Sequence, residues 1–109
     1  MKIVNATPHP VRIKKLDGTF LDLPKGENVP RISFDSIPAC QLDDIQLHMQ
    51  IMGDPENMPQ QIDGVHYIVS QIVASHPKNR NRGDLFFPGN LIRDDNGNII
   101  GADGLSYLP

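Results

Sequence analysis

Apolar and polar residues alternate in several short runs along the chain, and a two-residue period marks a strand with one buried face. The clearest case spans Val11 to Lys15 and Leu21 to Leu23 around Leu16-Asp17-Gly18. A three-residue loop ending in glycine suits a type I turn with a glycine bulge, whose last position needs positive φ. That geometry predicts Val11 opposite Leu23 and Ile13 opposite Leu21 on one face, with Arg12 opposite Asp22 on the other. A second hairpin is expected over Leu91 to Gly101, where Asn96-Gly97 predicts a tight type I′ turn. Ile45, Leu47, Met49 and Ile51 alternate with Gln46, His48 and Gln50, again the pattern of a half-buried strand.

Shorter extended segments are expected at Lys2 to Asn5, Val29 to Phe34, His66 to Ser70 and Asp84 to Phe87. Thr7-Pro8-His9-Pro10 forces turning backbone, because each proline restricts its own φ and the residue before it. Pro24 to Asn28 reads as a turn and Gly53 to Asp63 as an irregular loop. Gln71 to Ser75 predicts one or two helical turns with Ser70 as N-cap and Pro77 as the stop. His76 to Gly83 is polar and expected to be exposed, and the tail after Ala102 to pack through Leu105 and Tyr107. Together these elements predict a small α+β fold, mainly antiparallel β hairpins with one short helix, as a single domain over residues 1–109.

Composition adds bounds. A chain of 109 residues with 39% apolar residues and no tryptophan can build only a thin core. Further burial between subunits, and hence a homo-oligomer, is therefore expected. The net charge of −3 argues against a polymeric nucleic-acid partner, which needs many unopposed cations. No apolar run approaches the roughly 20 residues of a membrane-spanning helix, and Met1-Lys2 leads directly into Ile3-Val4-Asn5 without an apolar leader. The expected location is the cytoplasm. Cys40, the single cysteine, excludes an intrachain disulfide and is expected to be a small buried core residue.

The motifs of chemistry are missing. His9, His48, His66, His76 and Cys40 show no metal-ligand spacing, so neither a metal nor another cofactor is expected. Ser70 and Ser75 lack the nucleophile elbow, and Cys40 lies in no thiol-enzyme signature. Asp43-Asp44 and Asp94-Asp95 lack the carboxylate pattern of a calcium loop. The glycine-rich phosphate loops are absent. These readings point away from an enzyme. One stretch stands out, His76-Pro77-Lys78-Asn79-Arg80-Asn81-Arg82-Gly83, with three cations and two asparagines in an acidic protein. Guanidinium forks match phosphate oxygens, and Phe86 or Phe87 can stack on a base. The bland alternative is a solvated loop.

Several of these residues carry a resemblance. Asn5-Ala6-Thr7-Pro8-His9 is similar to the Asn-Leu-Thr-Pro-His opening of a family of short phage and prophage proteins, departing only at Ala6. Pro24, Gly26 and Arg31-Ile32 match that family loosely. Tyr67-Ile68-Val69-Ser70, Val73, Arg82, Asp84-Leu85, Pro88, Arg93-Asp94, Gly97, Ile99-Ile100-Gly101 and Gly104-Leu105 match it more closely. About two thirds of the chain is touched; residues 35 to 62 do not match and read as a diverged insert. The arrangement also resembles phage counter-defence sponges, including Thoeris anti-defence proteins.

The resemblance implies an anti-defence sponge in the host cytoplasm. It would sequester a small phosphorylated ligand, a cyclic nucleotide or cyclic ADP-ribose signal, at a subunit interface without cleaving it. On that reading Arg80, Arg82 and Lys78 hold phosphate, Ser70 and Asn81 add hydrogen bonds, Phe86 or Tyr67 stacks, and Arg93 is a further contact. A small nucleotide-signal hydrolase and a phage protein-interaction module are the alternatives.

Overall fold

A computed structural model describes all 109 residues. Its shape follows from ten strands, one helical turn and one 3-10 turn in the order β1 (Lys2–Asn5), β2 (Val11–Lys14), β3 (Phe20–Leu23), β4 (Arg31–Leu42), β5 (Ile45–Glu56), β6 (Val65–Ile68), α1 (Gln71–Ala74), the 3-10 turn (Pro77–Asn79), β7 (Leu85–Pro88), β8 (Leu91–Arg93), β9 (Ile99–Asp103) and β10 (Leu105–Ser106). They form two four-stranded sheets, ordered β1-β6-β7-β10 and β3-β2-β9-β8, and one separate two-stranded ribbon, β4-β5. The α+β class expected from the pattern is present, with strand predominating.

The β2–β3 hairpin has the expected register: Val11 faces Leu23, Arg12 faces Asp22 and Ile13 faces Leu21. Arg12 and Asp22 form an exposed ion pair at 3.4 Å. Gly18 takes φ +88 at the bulge. Parallel pairing is the feature the hairpin pattern did not signal. β1 runs parallel to β6, β6 to β7 and β2 to β9, so both larger sheets are mixed. Parallel partners come from distant parts of the chain and share no turn to mark them.

The core gathers Ala6, Tyr67, Val69, Val73 and Leu85, with Ile32 and Met58 packed against it. Ser70 caps α1 as expected: its Oγ accepts from the Val73 N–H at 3.3 Å. Phe86 and Phe87 point to opposite sides of β7, with Phe87 buried and Phe86 half-buried.

The structure corrects four expectations. The turn of the Leu91–Gly101 hairpin is not type I′, since Gly97 has positive φ but Asn96 does not. The Asp94 carboxylate accepts from the N–H groups of Asn96 and Asn98, each at 2.9 Å. That clasp favours a type I turn with a glycine bulge, the same construction as the Gly18 loop. Secondly, Gly53 to Glu56 continues β5, so the expected loop begins only at Asn57. Thirdly, the polar His76–Gly83 stretch is not wholly exposed: His76 and Asn79 are buried. The His76 Nε2 lies 2.9 Å from the Gly53 carbonyl oxygen, its Nδ1 accepts from the Lys78 N–H at 3.1 Å, and Asn79 Nδ2 donates to the Val73 carbonyl at 2.8 Å. Fourthly, Cys40 is exposed near the end of β4, because the ribbon that carries it leaves the body.

That ribbon is the largest departure. Each strand has 12 residues, so it reaches about 40 Å at the usual strand rise. It covers most of residues 35 to 62, the stretch that reads as an insert in the sequence. The two strands close through Asp43-Asp44, with Asp43 at φ 52. Two register shifts, at Ser33 against Gly53-Asp54 and at Ala39-Cys40 against Leu47, give one bulge on each strand. Side chains that pair across the strands share a face. Ile37, Leu42, Ile45, Leu47, Met49 and Ile51 therefore line one side, with Asp35 opposite Ile51 at its base, while Ser36, Gln46, His48 and Gln50 line the other, with Phe34 and Met52 at its base.

Candidate functional site

Four of the eight residues expected to bind a ligand meet at one place. The segment leaving the 3-10 turn, the exposed edge of Phe86 and the end of the chain enclose two adjoining depressions. The larger is about 360 Å³ and is lined by Arg80, Asn81, Arg82, Phe86, Tyr107 and Leu108. The smaller, about 120 Å³, reaches inward to His76 and Asn79. Tyr107 was expected only as a packing residue of the tail; its ring stands edge-on to Phe86, centroids 6.1 Å apart. On the other side of Phe86 the His66 ring packs at 5.4 Å, and the buried His66 Nδ1 has no hydrogen-bond partner.

The two arginines differ. Arg82 makes a forked contact with Asp84, Nε to Oδ1 and Nη2 to Oδ2, each 2.8 Å. The side chains of this pair are 18% and 6% exposed. The guanidinium holds the Asp84 carboxyl below the usual carboxylate range, and the carboxylate in turn raises the Arg82 pKa further. Two of the five Arg82 N–H donors are thus committed to holding the loop. Arg80 is exposed and has no ion pair, so it is the free cation of the cleft.

The remaining four residues are employed elsewhere. Lys78 reaches Asp54 at the base of the ribbon, 3.0 Å away. Arg93 donates to the Gly97 carbonyl at 2.9 Å and closes its own hairpin. Tyr67 is buried, and its hydroxyl donates to the Gln60 carbonyl at 3.0 Å. Ser70 lines a separate, mostly apolar groove of about 520 Å³ with Thr7, His9, Arg12, Val69 and Ile100.

The Asn5-Ala6-Thr7-Pro8-His9 segment has a structural task. The buried Asn5 accepts from the Thr7 N–H at 3.0 Å and from its hydroxyl at 2.6 Å, and donates to the carbonyls of His9 at 2.8 Å and Pro24 at 2.9 Å. Gly26 donates to the Thr7 carbonyl at 2.7 Å, and a side chain at Gly26 would collide with the Asn5 carbonyl. No group of three or more His, Cys, Asp or Glu side chains gathers as a metal centre, and no helix is long and apolar enough to cross a membrane. Comparison with protein-family models, curated proteins and solved structures returns no match to this chain.

Proposed function

We propose that this chain is a binding protein that captures one small phosphorylated ligand of the cyclic-nucleotide class and releases it intact. It would act as the phage counter-defence sponge that its sequence resembles. The observation that supports this reading is the company of Arg80. An unpaired guanidinium shares an open cleft with Arg82, Asn81 and the rings of Phe86 and Tyr107. Charge for a phosphate and an aromatic surface for a base are the two things such a ligand asks for. The volume is at the lower end for small-molecule pockets, which suits a ligand on the scale of one nucleotide.

The test is a thermal-shift panel of cyclic mono-, di- and trinucleotides and cyclic ADP-ribose isomers, followed by mass spectrometry of ligand recovered after denaturation. A concentration-dependent rise in Tm for one member is expected, with intact ligand recovered. Arg80→Ala should abolish that rise and leave the Tm of the free protein unchanged. A flat response across the panel rejects the reading, and recovery of cleaved product turns it into the hydrolase reading. The exposed ribbon favours a second reading, a protein-interaction module, for which a flat panel and a stable complex with another protein are the expected pair of results.

A further inference from the structure

The β4–β5 ribbon exposes a face that its own sequence patterns for burial. Ile37, Leu42, Ile45, Leu47, Met49 and Ile51 are all more than a third exposed, from 39% at Leu47 to 61% at Ile45. From Ser36 to Ile51 these apolar side chains share one face and Ser36, Gln46, His48 and Gln50 share the other, the signature of a sheet with one side covered. Nothing in the chain covers it: the ribbon pairs with neither of the other sheets.

The area involved fits a second protein chain. A compact monomer of 12.1 kDa exposes about 6,000 Å², whereas this chain exposes 7973 Å². The excess of about 2,000 Å² per chain is what each subunit of a permanent complex loses on assembly. The radius of gyration, 17.1 Å, exceeds the roughly 13 Å of a compact chain of this length for the same reason.

Charge identifies the occupant. Beyond Asp35, which lies opposite Ile51 at the base of this face, the only formal charges up to Gly53 are Asp43 and Asp44 at the tip. The uncharged middle of the face repels no copy of itself, and offers nothing to a nucleic acid or an anionic membrane. Two ribbons laid antiparallel keep their acidic tips apart, whereas a parallel pair would crowd four carboxylates together.

We infer that the ribbon is a dimerisation arm: its apolar face packs on the same face of a second copy of this chain, antiparallel, about a two-fold axis. A two-fold contact uses one patch twice, and sheets stacked in this way lie about 10 Å apart. The inference is independent of any ligand in the Arg80 cleft.

Sedimentation equilibrium of the full chain, from low to high micromolar, reads the result. A dimer mass is expected. Ile37→Asp with Met49→Asp should give a monomer that still unfolds cooperatively. His48→Asp with Gln50→Asp, on the polar face, should leave the dimer intact. If the aspartate pair does not fold, the milder Ile37→Thr with Met49→Gln should raise the dimer Kd at least about tenfold. Mild oxidation of the native dimer should not link the chains through Cys40, because antiparallel arms carry the two thiols to opposite ends. A monomer mass for the native chain overturns the inference. So do a dimer that survives the apolar-face substitutions, one lost through the polar-face pair, and rapid, complete cross-linking through Cys40.

Discussion

Asn5 satisfies two donors and two acceptors from a single buried amide, and through them fastens the first loop to the Pro24 turn. Asn5→Ala strands several of those groups without water and should cost about 2 kcal/mol, read as a lower midpoint in urea. Gly26→Ala should cost a similar amount, about 2 kcal/mol, by pushing the turn away from the Asn5 backbone. Asp84 links a residue to pH. Its carboxyl is held below the unfolded value, about 3.9, chiefly by hydrogen bonds from Arg82. The resulting stabilisation is complete above that unfolded value and is lost as pH falls through the lower folded one. Thermal stability should therefore weaken below about pH 4, and in Asp84→Asn that acid limb should flatten while neutral-pH stability drops by about 3 kcal/mol. At this scale the sequence showed what short-range chemistry controls: the Arg12–Asp22 pair, the Ser70 cap and the turn at Thr7-Pro8-His9-Pro10. It concealed the role of His76, whose distant partner is a backbone carbonyl, a group every residue offers.

Among the elements, hairpins were legible where turn chemistry and alternation agreed. The β2–β3 register follows from a glycine bulge and two apolar pairs. The β8–β9 hairpin was placed correctly, but its turn was misassigned, because Asn-Gly is also compatible with the clasp that the Asp94 carboxylate imposes. The ribbon was legible only in part, as strands at Val29–Phe34 and Ile45–Ile51, for a physical reason. Pro55 falls in the stretch expected to be an irregular loop, yet a two-stranded ribbon has two free edges and tolerates proline on either. The Ala39-Cys40 bulge then interrupts the alternation on β4. The candidate site was half legible: composition pointed to the Arg80–Arg82 segment, while Lys78 and His76 in the same stretch brace the ribbon. Removing the brace should show at its base. In His76→Ala, amide exchange around Gly53 should quicken by about tenfold, the loss of one hydrogen bond, with exchange in β6 unchanged; equal rates at Gly53 in both proteins would deny the brace.

For the whole molecule the decisive property is extension, with dimensions of 56 × 39 × 27 Å. Fourteen of 109 residues are buried, a small core for one chain. If paired arms supply the rest, the Tm of the native protein should rise with its concentration, while that of the apolar-face variant should not. A Tm independent of concentration in both would mean the body stands alone. The fold class could be read at this scale because alternation is local. The mixed sheets could not, since parallel neighbours are chosen by shared burial and not by a connecting turn.

The pairing of Lys2 with Val65 and of Tyr67 with Leu85 also sets an order of events on the ribosome. β4 and β5 adjoin in the chain and can zip together while the C-terminal third is still being made. β1 must wait, unsatisfied, until β6 has been synthesised. Closing such distant pairs is the slow part of folding. The nascent protein would therefore present its finished ribbon before its core exists, and neighbouring chains on one message could meet through their arms first.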